Sequence, residues 1–235
     1  MTDLSTVSHR RVRLSVMAAA AMVALTGCAS LHPGAAAVVD SSTISHGEVD
    51  DVTMALCSAN ITGAEAQGQP APDLATRGAR EGALQVLLES ELSRQFGEEM
   101  DVAADERLVS QALAQNEQNV ALLPEDRRDD FRSALRKYAG GQLILIEIGR
   151  RSLTEQGQAQ ITDDLAIAEG QRLRGEFVAT IEIEVDPRYG TFTEGTFETG
   201  GSELSVPASD GGLAGAKADP GPGFVAALPA SQRCS

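Results

Sequence analysis

The chain has 235 residues, with no tryptophan, six phenylalanines and two tyrosines, so its core must be built mainly from aliphatic side chains. Its 34 acidic residues outnumber its 19 basic ones, and the formal net charge is −15. A surface of this sign is repelled by nucleic acid and by anionic headgroups, which excludes electrostatic binding to either. The length allows one domain or two small ones.

An export signal is predicted at the N-terminus. An arginine-rich head ends at Arg13, and an apolar run over 14–25 follows it. This run has about a dozen residues, fewer than the ~20 that cross a bilayer, so residues 1–27 are interpreted as a signal peptide and not as a permanent transmembrane helix. No later stretch is long and apolar enough to span a membrane.

The segment LTGC at 25–28 resembles the lipobox of bacterial lipoproteins, in which the cysteine is diacylated and the chain is cut directly before it. Two or more acyl chains, at about 0.8 kcal/mol per buried methylene, hold a soluble domain stably at a membrane. The resemblance implies lipidation (a palmitate-type anchor) at Cys28 and a location on the extracytoplasmic face of the cell membrane. The alternative is an ordinary secretory signal with an incidental cysteine. Loss of three arginines and one aspartate with residues 1–27 would leave a net charge of about −17.

The export route is also suggested by these residues. Arg10-Arg11 is a feature of twin-arginine signals, but Arg13 and Leu14 stand where two apolar residues are expected. The general secretory route is therefore favoured.

A short tether at 28–34 leads into the first predicted elements. Ala36 to Val39 is predicted to form a strand, and the spacing of Ser45 and Glu48 is that of a capping box, which starts a helix. The apolar face of this helix is Val49, Val52, Leu56 and Cys57. Glycines and prolines over 61–72 predict a loop.

Four more helices are predicted before residue 176. The second helix is predicted to begin at a cap on Asp73 and to stop at Gly97. The third covers 103–122, and the fourth begins at Pro124. The fifth covers 163–175, with Thr162 as its cap. The run 143–148 has the composition of a strand, but we interpret it as part of the fourth helix. Gly140 and Gly141 would then allow close contact with a neighbour, at some loss of helix propensity.

A strand is predicted near the end of the domain. Ile181, Ile183 and Val185 alternate with polar residues, and Asp186-Pro187 ends the pattern. From residue 194 onward Gly, Ser, Pro and Ala dominate, so 194–235 is expected to be a disordered tail. The predicted fold class is mainly α: a cluster of about five helices in a domain at 35–193, with a small two-stranded β element that joins the two ends of that domain.

This order of elements resembles the N-terminal chaperone domain of the SurA family, the extracytoplasmic relatives of trigger factor and PrsA, and especially its actinobacterial lipoprotein versions. The residues that carry the resemblance are AAAVVDSSTISHGEVDD at 35–51 and IEIEVDPRYGTFT at 181–193, followed by LSVP. It covers about residues 35–207. One departure is Ser41-Ser42 at the first turn, where the family usually has Asn-Gly or Asp-Gly, the residues that favour a tight primed turn.

A larger departure is the missing parvulin domain, which many relatives insert between the helices and the closing strand. Here the fifth helix runs almost directly into Phe177. The resemblance therefore implies chaperone-like binding of polypeptide in the course of protein folding, without prolyl isomerase activity.

No pattern predicts an enzyme, a cofactor or a metal. His9 is removed with the signal, His32 lies in the tether and His46 lies in the first turn of a helix, where solvated or capping roles are expected. Three acidic pairs lack the alternating oxygen ligands of a calcium loop and are interpreted as solvated helix faces. These pairs are Asp50-Asp51, Asp129-Asp130 and Asp163-Asp164.

Two cysteines remain once Cys28 is acylated, an even number in an exported chain. A Cys57–Cys234 disulfide would tie the tail to the first helix, close a loop of about 176 residues and stabilise the fold by roughly 4 to 5 kcal/mol in the chain-entropy model. The alternative is a buried thiol at Cys57 and a free thiol at Cys234. The sequence leaves both open.

Two functions follow from these patterns. The first is a membrane-tethered, extracytoplasmic chaperone-like lipoprotein that binds exported unfolded or extended polypeptide in a groove between amphipathic helices. The second is an envelope assembly or scaffold lipoprotein that binds one specific folded partner. Apolar residues such as Leu88 and Phe131 can serve either as core or as groove. The sequence specifies neither the client nor the oligomeric state.

Overall fold

The computed structural model describes residues 32–193, 196–198, 209–215, 217 and 221–234. The predicted signal peptide at 1–27, Cys28, His9 and the LSVP segment lie outside the described residues. The helices, in chain order, are α1 (His46–Ala66), α2 (Thr76–Glu99), α3 (Glu106–Leu122), α4 (Arg128–Glu155), α5 (Asp163–Val178), α6 (Asp210–Gly215) and α7 (Pro222–Ala226). Single turns of 3-10 helix occur at Glu125–Arg127 and Ala230–Gln232. The predicted mainly α class is confirmed.

A small antiparallel sheet joins the two ends of the domain. Its strands are β1 (Ala35–Val39), β2 (Ser42–Ser45) and β3 (Ile183–Val185), in the order β2-β1-β3. The predicted pairing of β1 with β3 is confirmed, with Ala37 opposite Val185 and Val39 opposite Ile183. Two short strands, β4 (Thr191–Thr193) and β5 (Thr196–Glu198), form a separate antiparallel pair.

The prediction of two strands in this element is wrong, because β2 makes it three. Asp40 adopts φ of 51° in the turn between β1 and β2. Aspartate tolerates this left-handed conformation better than most residues, since its short polar side chain can bond locally. The turn residues are therefore Asp40 and Ser41 and not the predicted Ser41-Ser42, since Ser42 already belongs to β2.

The start of α1 is as predicted, but its end is not. Ser45 is the N-cap, and its Oγ accepts a hydrogen bond from the Glu48 backbone N–H at 3.1 Å. The helix then continues to Ala66, so the loop predicted over 61–72 starts too early. Gly63 is tolerated because one glycine costs only about 1 kcal/mol in a helix that is otherwise continuous.

The boundaries of α2 also differ from the prediction. The N-cap is Ala75, without a side-chain cap bond, and not Asp73. Gly97 lies inside the helix, where a Cβ would come within 2.6 Å of the Val102 carbonyl oxygen. This glycine therefore permits close packing and does not end the helix, which stops before Asp101 at φ 52°.

The longest helix, α4, lies against α2, α3 and α5 and contains the ambiguous run 143–148, so the helical interpretation of that run is confirmed. It contacts α5 most closely at two glycines. A Cβ on Gly149 would lie 1.8 Å from the Ala166 carbonyl oxygen, and one on Gly170 would lie 2.1 Å from the Leu145 carbonyl oxygen. The backbones of α4 and α5 thus touch directly, which a side chain at either position would prevent.

The expectation of a disordered tail is wrong for its described residues. These include α6, α7 and a buried Val225, and they belong to the same compact unit as the helices. Arg233 forms an isolated β-bridge with Ala75, and the Cys234 N–H donates to the Leu74 carbonyl oxygen at 2.9 Å. Backbone hydrogen bonds hold the end of this segment against the start of α2, and a disulfide joins it to α1.

Replacing Gly149 by alanine puts a methyl group into the closest contact between α4 and α5. Because the methyl group would meet backbone atoms, which cannot rotate away, we expect Gly149→Ala to lower the free energy of unfolding by about 3 kcal/mol or more. Denaturant unfolding followed by circular dichroism measures this. Gly175→Ala is the control, since Gly175 lies in α5 with open space around it and should gain about 0.5–1 kcal/mol. Equal effects of the two substitutions would contradict the close contact.

Candidate functional site

An open cleft of about 660 Å³ lies between β2, α2, α4 and the connection from α2 to α3. We call it the main cleft. Its buried apolar floor consists of Ile44, Leu87, Val102 and Ile144. Its charged rim consists of Glu48, Glu91, Arg94, Glu98, Glu106, Arg136 and Lys137. The small residues Ala103, Ala104 and Gly140 leave the space between floor and rim open.

A second cleft of about 360 Å³ adjoins the main cleft on the side of α1. We call it the side cleft. The two share Glu48, Leu87 and Lys137, and the Lys137 ammonium forms an ion pair with the Glu48 carboxylate. Asp51 and Asp130 also line the side cleft. Leu87 and the Lys137–Glu48 ion pair therefore lie where the two clefts adjoin.

The outer edge of β2 faces the main cleft. The Asp40 N–H donates to the Glu182 carbonyl oxygen at 2.8 Å, and the Asp186 N–H donates to the Ala36 carbonyl oxygen at 2.9 Å. Even-numbered residues of β1 thus bond to β3, and odd-numbered residues bond to β2. Because Thr43 lies opposite Val38, its N–H and C=O point away from the sheet. No strand in the described ranges pairs with this edge, and Thr43 lines the cleft.

The rim is fixed to the hairpin by a network around Glu91. Arg94 donates to both carboxylate oxygens of Glu91, at 2.6 and 2.9 Å. Gln95 bridges Glu91, at 2.9 Å, and the Val39 carbonyl oxygen, at 3.0 Å. Partial burial alone would raise the pKa of Glu91, but hydrogen bonds from Arg94, Gln95 and Ser42 outweigh it and hold the pKa at about 2. The carboxylate is therefore charged throughout the physiological range and anchors the cleft wall.

A polar cluster joins the start of α1 to the turn after β3. His46 Nδ1 lies 2.9 Å from the Tyr189 hydroxyl, and Nε2 lies 3.4 Å from an Asp186 carboxylate oxygen. Burial raises the pKa of Tyr189, and a hydrogen bond from Arg188 lowers that of Asp186. The expectation that His46 is only solvated or a cap is therefore wrong, because it bonds to residues more than 140 positions away. The two segments that carry the family resemblance meet at this cluster.

The structure joins Cys57 and Cys234 in a disulfide, with the two Cα atoms 5.3 Å apart. Cys57 lies on the buried face of α1, with 2% of its surface exposed. The pairing fastens the end of the described chain to α1, across 177 residues of sequence. Of the predicted site residues, these two are brought together, whereas Cys28 lies outside the described residues.

The predicted acidic pairs lie on helix surfaces. Asp50 pairs with Arg80 at 2.8 Å, Asp129 with Arg132 at 3.0 Å, and Asp163 with Arg150. Within the described residues no group of three or more His, Cys, Asp or Glu side chains is arranged to hold a metal ion. In the same part of the chain, no helix has the length and apolar character needed to cross a membrane.

The sequence predicts a groove between helices, but it does not locate the main cleft or its lining residues. Its walls come from β2, α2, α4 and the connection after Met100, which lie far apart in sequence. Two local signals point toward it: the adjacent glycines in α4, and the alternation of exposed Thr43 with buried Ile44.

Comparisons with protein-family models, with curated proteins and with solved structures found no match to this chain. The fold and the site define a mainly helical domain with an open, apolar-floored cleft beside a sheet edge that no strand of the described residues pairs with.

Removal of the disulfide should loosen the C-terminal segment. We expect the Cys57→Ser/Cys234→Ser double variant to lose up to about 5 kcal/mol of unfolding free energy, the chain-entropy value for a loop of 177 residues. Residues 221–234 should also become cleavable in limited proteolysis. Reductant should reproduce both effects in the unaltered protein and change nothing in the double variant. Full alkylation of both thiols without reductant would show that the bond does not form.

Proposed function

We propose that this protein is a membrane-tethered, extracytoplasmic chaperone-like lipoprotein that binds exported unfolded or extended polypeptide, without prolyl isomerase activity. The observation that supports it most directly is the main cleft, with its buried apolar floor and charged rim. Its size, about 660 Å³, lies in the range of ligand-binding clefts. A long open cleft with an apolar base is suited to an extended segment whose side chains vary.

Three features of the chain support the remaining parts of the proposal. The LTGC segment ending at Cys28 resembles a lipobox, and the acidic chain offers no general basic surface that would hold a membrane. The connection from α5 to β3 is only the four residues 179–182, which leaves no room for an isomerase domain between them. The two segments similar to the SurA-type domain lie together at the His46 cluster.

Blocking the main cleft should remove chaperone activity. Ala103 is exposed in the connection before α3 and lines the cleft, so Ala103→Trp should fill it without disturbing the core. We expect the unaltered soluble domain to suppress aggregation of several unrelated, chemically unfolded proteins, as measured by light scattering. The tryptophan variant should need at least about fivefold more protein for the same suppression.

Ala159→Trp is the matched control, because Ala159 is likewise an exposed loop alanine but does not line either cleft. It should suppress aggregation as well as the unaltered domain. No suppression of any client, together with capture of a single folded partner at one-to-one stoichiometry, would replace the proposal with the envelope scaffold.

The tether can be tested independently of the cleft. Cys28→Ser removes the thiol that would carry the acyl groups, so radiolabelled palmitate should no longer be incorporated in cells. The protein should also move from the membrane fraction to the soluble extracytoplasmic fraction. Cys57→Ser is the control and should retain both label and membrane association. Equal labelling of the Cys28→Ser variant and the unaltered protein would contradict lipidation at this cysteine.

A further inference from the structure

We infer that the main cleft takes its polypeptide by strand addition: a segment with an apolar centre and Lys or Arg flanks pairs with the outer edge of β2. This rests on the proposed function and specifies both the binding mode and the chemistry of the segment. It depends on three observations, namely the unpaired edge, the apolar floor beside it and the charge of the two clefts.

The edge of β2 is open to pairing. The N–H and C=O of Thr43 point away from β1, Thr43 lines the main cleft, and the described part of the chain supplies no strand to bond these groups. Sheet edges are usually protected by lysine, proline or a bulge pointing outward. The residues of β2 are Ser42, Thr43, Ile44 and Ser45, which provide none of the protective side chains.

The floor beside the edge suits one face of an added strand. Side chains alternate along a strand, so every second residue of the segment would lie on the same face as Ile44. That side of the cleft also presents Leu87 and Ile144, which are 3% and 5% exposed. Main-chain bonds to Thr43 would supply affinity that does not depend on sequence, and the floor would select apolar residues at alternate positions.

The charge of the two clefts determines which residues are favoured at the ends of the bound segment. The main and side clefts together are lined by six carboxylates and three cations. Each cation is already engaged: Arg94 with Glu91 and Glu98, Arg136 with Glu106, and Lys137 with Glu48. Asp51 and Asp130 line the side cleft and have no ion-pair partner among the described residues.

This surplus of negative charge attracts cationic flanks and repels acidic ones. It also argues against a second copy of this chain as the occupant, because the chain itself carries a net charge of −15. An exported segment with basic residues around an apolar centre is the complementary partner.

The charge preference can be measured with synthetic peptides. The probe is a fluorescent peptide of about twelve residues, long enough to pass the strand and reach the rim, with a Val/Leu/Ala centre and two lysines at each end. Fluorescence anisotropy should give a Kd at least about tenfold lower than that of the same peptide with glutamate flanks, and the difference should shrink at high salt. Equal or tighter binding of the glutamate peptide would overturn the charge preference.

Strand addition has a signature that side-chain contacts alone do not give. Successive amides of an added strand point alternately toward and away from β2. N-methylation of single amides in the centre of the lysine-flanked peptide should therefore weaken binding at least about tenfold at the position whose N–H donates to the Thr43 carbonyl oxygen, and less than about twofold at the two adjacent positions. A uniform effect, or none, would overturn strand addition.

The protein side is tested by Thr43→Pro with Thr43→Val as its matched control. Proline removes the N–H that points away from β1, and this group is not needed for pairing with β1, so the hairpin should survive. We expect Thr43→Pro to weaken binding of the lysine-flanked peptide at least about fivefold and Thr43→Val to leave it within about twofold. Thermal unfolding checks that both variants fold. If Thr43→Pro does not fold, the N-methylated peptides still test strand addition on the unaltered protein.

The outcomes separate this inference from the proposed function. If Ala103→Trp blocks peptide binding but N-methylation has the same effect at every position, the proposed function stands and strand addition is overturned. No binding of any peptide, with no suppression of aggregation, overturns both. Self-association in sedimentation measurements that Thr43→Pro abolishes would assign the edge to a second copy of the chain and overturn the inference.

Discussion

The pairing of β1 with β3 is the constraint on which the rest of the domain depends. It brings together segments separated by the whole helical region, and closing so long a loop is entropically unfavourable unless buried surface offsets it. The core cluster that includes Val39, Val49, Leu84 and Leu88 provides that burial. The pairing also sets the direction of every backbone group in β1, which in turn decides that Thr43 of β2 faces outward.

Two other contacts reinforce the same closure. The His46–Tyr189 bond joins the first turn of α1 to the turn after β3, and the Cys57–Cys234 disulfide joins the middle of α1 to the end of the described chain. The β1–β3 pairing holds β1, while the His46–Tyr189 bond and the disulfide hold α1. The beginning of the domain is therefore held from three later positions, while the main cleft lies on the other side of β2 and stays open.

Glycines give α4 two opposite roles along its length. Gly140 and the neighbouring Gly141 lie where the helix borders the main cleft, and Gly140 leaves space there. Gly149, more than two turns further on, has no room for a side chain, and its lack of one lets α5 contact the α4 backbone. The same residue type thus keeps one side of the helix accessible and packs the other end rigidly, so the cleft wall rests on a firm support.

The features that the sequence predicted well are local. The Ser45 cap, the apolar periodicity of the helices and the alternation in 181–185 each depend on neighbours within a few residues, so they can be recognised without knowing the fold. The order in the tail could not be predicted, because Gly, Ser and Pro favour disorder and only remote contacts to Cys57, Leu74 and Ala75 overcome that tendency. Strand β2 and the position of the main cleft could not be predicted for the same reason: both exist only once the hairpin lies against α2.

The ion pairs of the rim are compatible with an occupied cleft because they are exposed. Side chains in the Arg136–Glu106 and Lys137–Glu48 pairs are 31% to 77% accessible, and exposed pairs of this kind contribute only about 0–1 kcal/mol each. A cationic flank can therefore replace Lys137 at Glu48 with little change in free energy, which would connect the main and side clefts along Leu87. Charge would then select and orient a segment, while apolar contact and main-chain bonds retain it.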